Sequence, residues 1–160
     1  PLFVQRSKRA DYGTDDMRAG FTLDLWLTSS LEQSLLDNRT PDGRGLLLRA
    51  APNGTLQISL NDGRTQNDWT SDPGMLERTA PHHVSVIVDG GPKIISFVID
   101  GKFCDGGEAG QFGWGRFSPK LLPANGANKL RIGASVTSLR IYGRALRTAE
   151  AIRNFETLGQ

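Results

Sequence analysis

The segment Phe21-Thr-Leu-Asp-Leu-Trp-Leu-Thr28 alternates without a break, placing Phe21, Leu23, Leu25 and Leu27 on one face and Asp24, Trp26 and Thr28 on the other. A period of two cannot gather its apolar residues on one side of a helix, so it predicts a half-buried strand. The same period recurs at Leu56, Ile58 and Leu60, at Val84, Val86 and Val88, and at Ile95, Phe97 and Ile99. Turn chemistry separates these runs: Pro52-Asn-Gly54, Asn61-Asp-Gly63, Asp89-Gly-Gly91 and Asp100-Gly101. Many short strands at regular spacing predict an all-β fold, a sandwich of two antiparallel sheets.

The chain has 160 residues, 38% of them hydrophobic, enough for one domain over 1–160 with its own core and no disulfide support. Its 19 basic and 17 acidic residues give a net charge of only +2, and beyond the Arg6, Lys8, Arg9 cluster the basic residues are scattered singly. A nucleic-acid partner needs them gathered on one face, so none is expected. No apolar run reaches membrane-spanning length, and no membrane partner is expected either. Cys104 is the single cysteine and cannot form an internal disulfide. Pro1 does not begin a signal peptide, which is what an excised mature domain would show. The first twenty residues are expected to give one strand, Leu2 to Gln5, and a loop through Asp11-Tyr-Gly13.

One segment alone reads as helix, after Thr148. That threonine is the expected N-cap, Glu150 complements the helix dipole, and Ala149, Ala151, Ile152 and Phe155 form a packing stripe. It follows Leu130-Arg-Ile-Gly133 and Ser138-Leu-Arg-Ile-Tyr-Gly-Arg-Ala-Leu146. Taken with His82-His-Val-Ser-Val-Ile-Val-Asp-Gly-Gly91 and Ile95-Ser-Phe-Val-Ile-Asp-Gly-Lys102, this ending resembles the laminin-G-like jelly roll of the concanavalin A-like lectin/glucanase superfamily. The resemblance runs from about Phe21 to Phe155. It implies a jelly-roll β-sandwich whose terminal helix lies on one sheet, held by Leu139, Ile141, Ile152 and Phe155. At the acidic pair usual in the family's tail this chain has Thr137-Ser138, so no role of those acids carries over.

The superfamily contains lectins, carbohydrate-binding modules, adhesion domains and glycosidases, so function must be argued from the side chains. A glycosidase on this fold takes two carboxylates from one strand, as Glu-x-Asp-x-Glu or a near variant. Here Glu32, Glu77, Glu108, Glu150 and Glu156 are far apart, and no Gly-x-Ser-x-Gly elbow marks a nucleophile. His82 and His83 are adjacent in a strand and point to opposite faces, so they cannot chelate one metal: one ring is expected against the sheet and the other toward a loop.

Two segments fit no strand: Arg64 to Gly74 and Phe103 to Pro119, long and polar and carrying Trp69 and Trp114. An indole can stack on the C–H face of a sugar while Asp, Asn, Gln and Arg meet its hydroxyls. The expected ligand site is the rim where these segments meet. Trp69 is its platform, Trp114 a second aromatic, and Arg64, Asp68, Asp105, Glu108, Gln111 and Arg116 are the polar partners. An alternative site on an open sheet face would use Trp26, Gln57, Arg140 and Tyr142. No cofactor is called for. The resemblance leaves room for calcium on Asp62, Asp68, Asp72 and Asp105, although Asp also caps turns in such loops. Asn38-Arg-Thr40 and Asn53-Gly-Thr55 match the glycosylation pattern, which matters only in a eukaryotic secretory setting.

The resemblance and the loop composition together imply a non-catalytic module that binds a glycan, a terminal sugar or short oligosaccharide. Such a module is expected in an extracellular or periplasmic setting, among the other domains of a bacterial glycan-degrading enzyme. The alternatives are a protein-interaction or adhesion domain, and a glycoside hydrolase built on loop carboxylates.

Overall fold

The computed structural model describes residues 18–28, 33–106, 114–122 and 124–158, so the expected strand Leu2–Gln5 and its loop lie outside the described residues. The elements in order are β1 (Phe21–Leu27), β2 (Ser34–Asp37), β3 (Gly45–Ala51), β4 (Thr55–Asn61), β5 (Gln66–Thr70), β6 (His82–Asp89), β7 (Ile94–Ile99), β8 (Lys102–Phe103), β9 (Trp114–Arg116), β10 (Arg131–Ile132), β11 (Val136–Tyr142) and α1 (Thr148–Leu158). All pairings are antiparallel and make two sheets, β11-β1-β6-β7 with β8 and β9 both on β7, and β10-β2-β3-β4-β5. The fold is a jelly-roll β-sandwich: the alternation predicts the two packed sheets, and the resemblance implies the jelly roll. Both polar segments expected to hold no strand do contain one: β5 in Arg64 to Gly74, and β9 with the end of β8 in Phe103 to Pro119.

Register explains the core. Leu23 pairs with Val86, which pairs with Phe97; Leu25 pairs with Val84, which pairs with Ile99. These side chains meet Leu36, Leu46, Leu48, Leu56, Ile58 and Leu60 of the other sheet in one buried cluster. Removing that apolar surface from water is the main driving term for this fold.

The outward face of β6 is buried too, because α1 lies over its sheet. Leu146 and Ala151 pack with Ile87 and Val98, joined by Tyr142 and Ile152. The Phe155 ring stacks on Trp26 at 5.9 Å and sits 5.9 Å from the His83 ring. Polar contacts fix the docking as well: Asn154 donates to Asp24 at 2.5 Å and to the Tyr142 hydroxyl at 3.2 Å, while His83 Nε2 lies 2.7 Å from Asp24. Leu139 and Ile141, expected under the helix, instead pack with the inter-sheet core, because Leu25 pairs with Leu139 and Leu23 with Ile141. The helix cap also differs by one residue. Ala151 N–H donates to the Arg147 carbonyl and the Glu150 carboxylate accepts the Arg147 N–H at 2.8 Å, so Arg147 is the N-cap. Arg144 grips the same carboxylate through two hydrogen bonds, and these lead the causes that hold it down to about 2.

The Asp100-Gly101 turn closes beneath this helix. Both residues have positive φ, as a two-residue hairpin between β7 and β8 demands, and a Cβ at Gly101 would stand 2.7 Å from the Phe155 ring. Asp100 also accepts the His83 N–H at 2.8 Å and lies 2.6 Å from His82 Nδ1. The two histidines therefore divide as expected, His83 against the sheet and His82 toward the Glu77 loop.

Leu25→Ala, at a fully buried site, is expected to lower stability by about 3 kcal/mol, and Phe155→Ala, at a half-buried one, by about 1.5 kcal/mol. Denaturant melts monitored by Trp fluorescence check both, and an unchanged midpoint for Phe155→Ala would contradict the docking.

Candidate functional site

The two sheets differ on their outer faces. Among the described residues no α-helix covers the outer face of the β10-β2-β3-β4-β5 sheet, where Leu47, Arg49, Gln57 and Ser59 are half-buried, and its side chains are mostly polar in cross-strand rows. One row runs Asp37, Leu47, Ser59 and Asp68, with Arg131 beside Asp37. The next runs Ser34, Arg49, Gln57 and Thr70, and a third pairs Asn61 with Gln66.

These groups are pre-positioned. Arg39 folds back onto Asp37, with Nε and Nη2 donating at 2.9 and 3.0 Å and its own N–H at 3.0 Å. Arg131 reaches the same carboxylate at 2.9 Å. Burial alone would push the Asp37 carboxyl up; the hydrogen bonds from Arg39 and Arg131 outweigh it and hold the group well below the usual carboxylate range. Arg49 Nε donates to Gln57 at 2.7 Å, and Gln66 donates to Asp68 at 3.2 Å. The result is a surface of planar donors and acceptors around one aliphatic side chain, Leu47. That chemistry suits a ligand with many hydroxyls and a weakly polar ring face.

The two segments meet through backbone amides, but the side chains expected to form the site do not gather there. Ser118 N–H donates to Asn67 at 2.6 Å, Gly106 N–H to Asp72 at 3.1 Å, and Leu122 N–H to Asp62 at 2.8 Å. The role expected of Trp69 does not survive. Its partner in register is Ile58, so the indole turns inward, packs on the core and covers Gly115, where a Cβ would stand 2.2 Å from the ring. Its Nε1 is buried with no partner among the described residues. Trp69 is thus the plug joining β5 to β9, and Gly115 is glycine because the ring needs that space. Asp68, its neighbour, faces the opposite way, onto the open sheet.

The remaining rim residues are dispersed. Arg64 sits exposed in the β4–β5 turn, Arg116 is exposed on β9 opposite Ile94, and Asp105 is exposed after β8. Trp114 opens β9 opposite Ser96, with its side chain outside the described residues, as are Glu108 and Gln111. Nor do the alternative residues share a face: Gln57 lies on the open sheet, while Trp26, Arg140 and Tyr142 lie on the other.

Two of the acids proposed for calcium are engaged by backbone amides. Asp62 takes those of Arg64, Thr65 and Leu122, and both Asp72 oxygens take that of Gly106. Among the described residues no cluster of three or more His, Cys, Asp or Glu could hold a metal. Burial pushes the Cys104 thiol up to about 11, which keeps it unreactive.

The sandwich, with one sheet capped by a terminal helix, matches the family model of the concanavalin A-like lectin/glucanases over residues 8–152. The chain belongs to that superfamily. Among curated sequences no relative matches. Solved structures with the same fold include the Ruminococcus gnavus IT-sialidase CBM40 bound to alpha2,3 sialyllactose, 13% identical over 83% of this chain and 80% of that one, TM-score 0.62. The binding domain of botulinum neurotoxin DC in complex with rat synaptotagmin II is 13% identical over 90% of this chain and 37% of that one, TM-score 0.58. The leech intramolecular trans-sialidase is 13% identical over 83% and 22%, TM-score 0.60. In this superfamily member, Asp37, Arg39, Arg49 and Arg131 escaped the sequence reading because each stands alone in its segment and only strand pairing brings them together.

The depressed Asp37 carboxyl contributes stability that is present above about pH 4 and lost as pH falls below it. Asp37→Asn should therefore cost about 1 kcal/mol at pH 7 and give a flatter decline in acid. Thermal melts from neutral to acid pH check this, and parallel wild-type and variant curves would contradict it.

Proposed function

We propose that this domain is a non-catalytic carbohydrate-binding module that holds its ligand on the open outer face of the β10-β2-β3-β4-β5 sheet. The observation that carries the reading is the asymmetry of the sandwich: one outer face is covered by α1, while among the described residues no α-helix covers the other, which carries Arg49, Gln57, Ser59 and Asp68 around Leu47. Planar polar groups meet hydroxyls and Leu47 meets a ring face, while the Arg39–Asp37–Arg131 lock keeps one end of the surface rigid. Asp68 stands on β5, next to the β4–β5 turn that carries the exposed Arg64, whereas Arg116 lies on β9 of the other sheet. The sialyllactose bound by the Ruminococcus gnavus domain supports a glycan as ligand. The setting that goes with this reading is extracellular or periplasmic, beside the catalytic domains of a bacterial glycan-degrading enzyme.

The non-catalytic part rests on spacing. The open face carries Asp37 and Asp68 on strands three steps apart, about 14 Å, where paired-carboxylate hydrolysis needs roughly 5 to 10 Å. Asp37 is moreover tied to two arginines. A second reading, protein contact, is favoured by the exposed Phe103 and Leu122 at the rim and by the synaptotagmin complex of the neurotoxin domain. A glycan array separates the two readings.

With a glycan identified on the array, Arg49→Ala and Gln57→Ala should each weaken binding about tenfold in titration calorimetry, the scale of one or two hydrogen bonds. Affinity should be weak, since a few solvent-competed bonds leave little after ordering costs. Retention of full affinity in both variants would contradict the open-face site. Reducing-sugar release that disappears in Asp68→Asn would contradict the non-catalytic reading.

A further inference from the structure

At the end of the sandwich where β3 turns into β4 lies a cleft of about 430 Å³, within the roughly 300–1,000 Å³ range of small-molecule sites. Ala51, Pro52 and Leu76 give it an apolar side, and Gln33, Asn53 and Arg78 a polar one. Its wall is held by hydrogen bonds rather than by packing alone. Gly74 N–H donates to the Asn53 carbonyl at 2.7 Å, Leu76 N–H to the Gly54 carbonyl at 3.0 Å, and the Thr55 hydroxyl to the Pro52 carbonyl at 2.7 Å. Gly54 has φ +64, and a Cβ there would stand 2.9 Å from the Leu76 carbonyl oxygen, so only glycine lets the two segments approach.

The charge of this cleft is one-sided. Among the described residues that line it there is no carboxylate, and Arg78 is the one charged group; it forms no ion pair among the described residues. A guanidinium offers a planar fork of donors that fits a carboxylate or a sulfate. Position adds the second argument. Ala51 and Thr55 pair with each other at the end of the same strands that carry Arg49 and Gln57, and Arg49 is two residues, about 7 Å, from Ala51.

We propose that this cleft is an anion subsite: it takes the carboxylate- or sulfate-bearing unit of a saccharide whose neutral remainder lies along the open face. The proposal rests on the glycan-binding reading and names its ligand class, an acidic saccharide.

Titration calorimetry with sialyllactose, sulfated lactose and lactose tests it. The expected result is sialyllactose bound at least tenfold more tightly than lactose, with that preference erased in Arg78→Gln. Ala51→Phe, which fills the cleft from a different residue, should erase it as well. Sulfated lactose bound like sialyllactose supports a site for any anionic unit; bound like lactose, it supports a carboxylate site. Equal affinities for sialyllactose and lactose in the native chain, a preference that survives both variants, or no binding of sialyllactose would overturn the proposal. If the preference fails while Arg49→Ala still weakens sugar binding about tenfold, the cleft assignment falls and the open-face reading stands.

Discussion

Burial of one apolar face from each sheet against the other is the constraint on which the rest of this molecule depends. With Leu23, Leu25, Val84, Val86, Phe97 and Ile99 committed inward, every intervening side chain on those strands is committed outward. On the β11-β1-β6-β7 sheet those outward residues include Trp26, His83, Ile87 and Val98, too apolar to be left in water. The terminal helix resolves this by laying Ala151, Ile152 and Phe155 over them, with Asn154 satisfying Asp24. On the other sheet the outward residues around Leu47 include Asp37, Arg49, Gln57, Ser59 and Asp68, polar groups that gain nothing from an apolar cover. The division of the molecule into a sealed face and an open face thus follows from composition at alternate positions, and the functional reading follows from that division.

The helix face is also where polar groups are most confined. His83 is fully buried between Trp26 and Phe155 with Asp24 as its partner, and its Nδ1 has none among the described residues, as is true of Trp26 Nε1 and Ser85 Oγ. An unsatisfied buried polar atom costs roughly 1–3 kcal/mol. Docking of α1 therefore depends on apolar contacts and on the Asn154–Asp24 bond to offset a polar layer beneath it.

Much of the fold was legible because alternation and turn residues act locally. Phe21 to Leu27 and the Asp100-Gly101 hairpin behave as their sequence says, and the tail resolves into β10, β11 and α1 as its motif implies. β5 was not legible because it carries one apolar residue, Trp69, among polar ones, and only pairing with Leu56 to Leu60 of β4 gives it a face. That pairing also turns Trp69 inward and makes it a plug. Leu139 and Ile141 were assigned the wrong partner for a related reason: alternation shows that residues share a face but not which layer the face meets. The proposed open-face site was legible only at Gln57 and Asp68, for a third reason. Asp37, Arg49, Gln57 and Asp68 come from four strands, and no spacing along the chain announces a cross-strand row.

The central claim is that ligand meets the open sheet and leaves the helix-covered sheet untouched. The most direct test is amide chemical-shift mapping during titration with a bound oligosaccharide. The account predicts that the shifted amides cluster at Leu47, Arg49, Gln57, Ser59 and Asp68, with Trp26, His83 and Asn154 unmoved. Shifts concentrated on Trp26, His83 and α1, with the open-sheet amides unchanged, would contradict it.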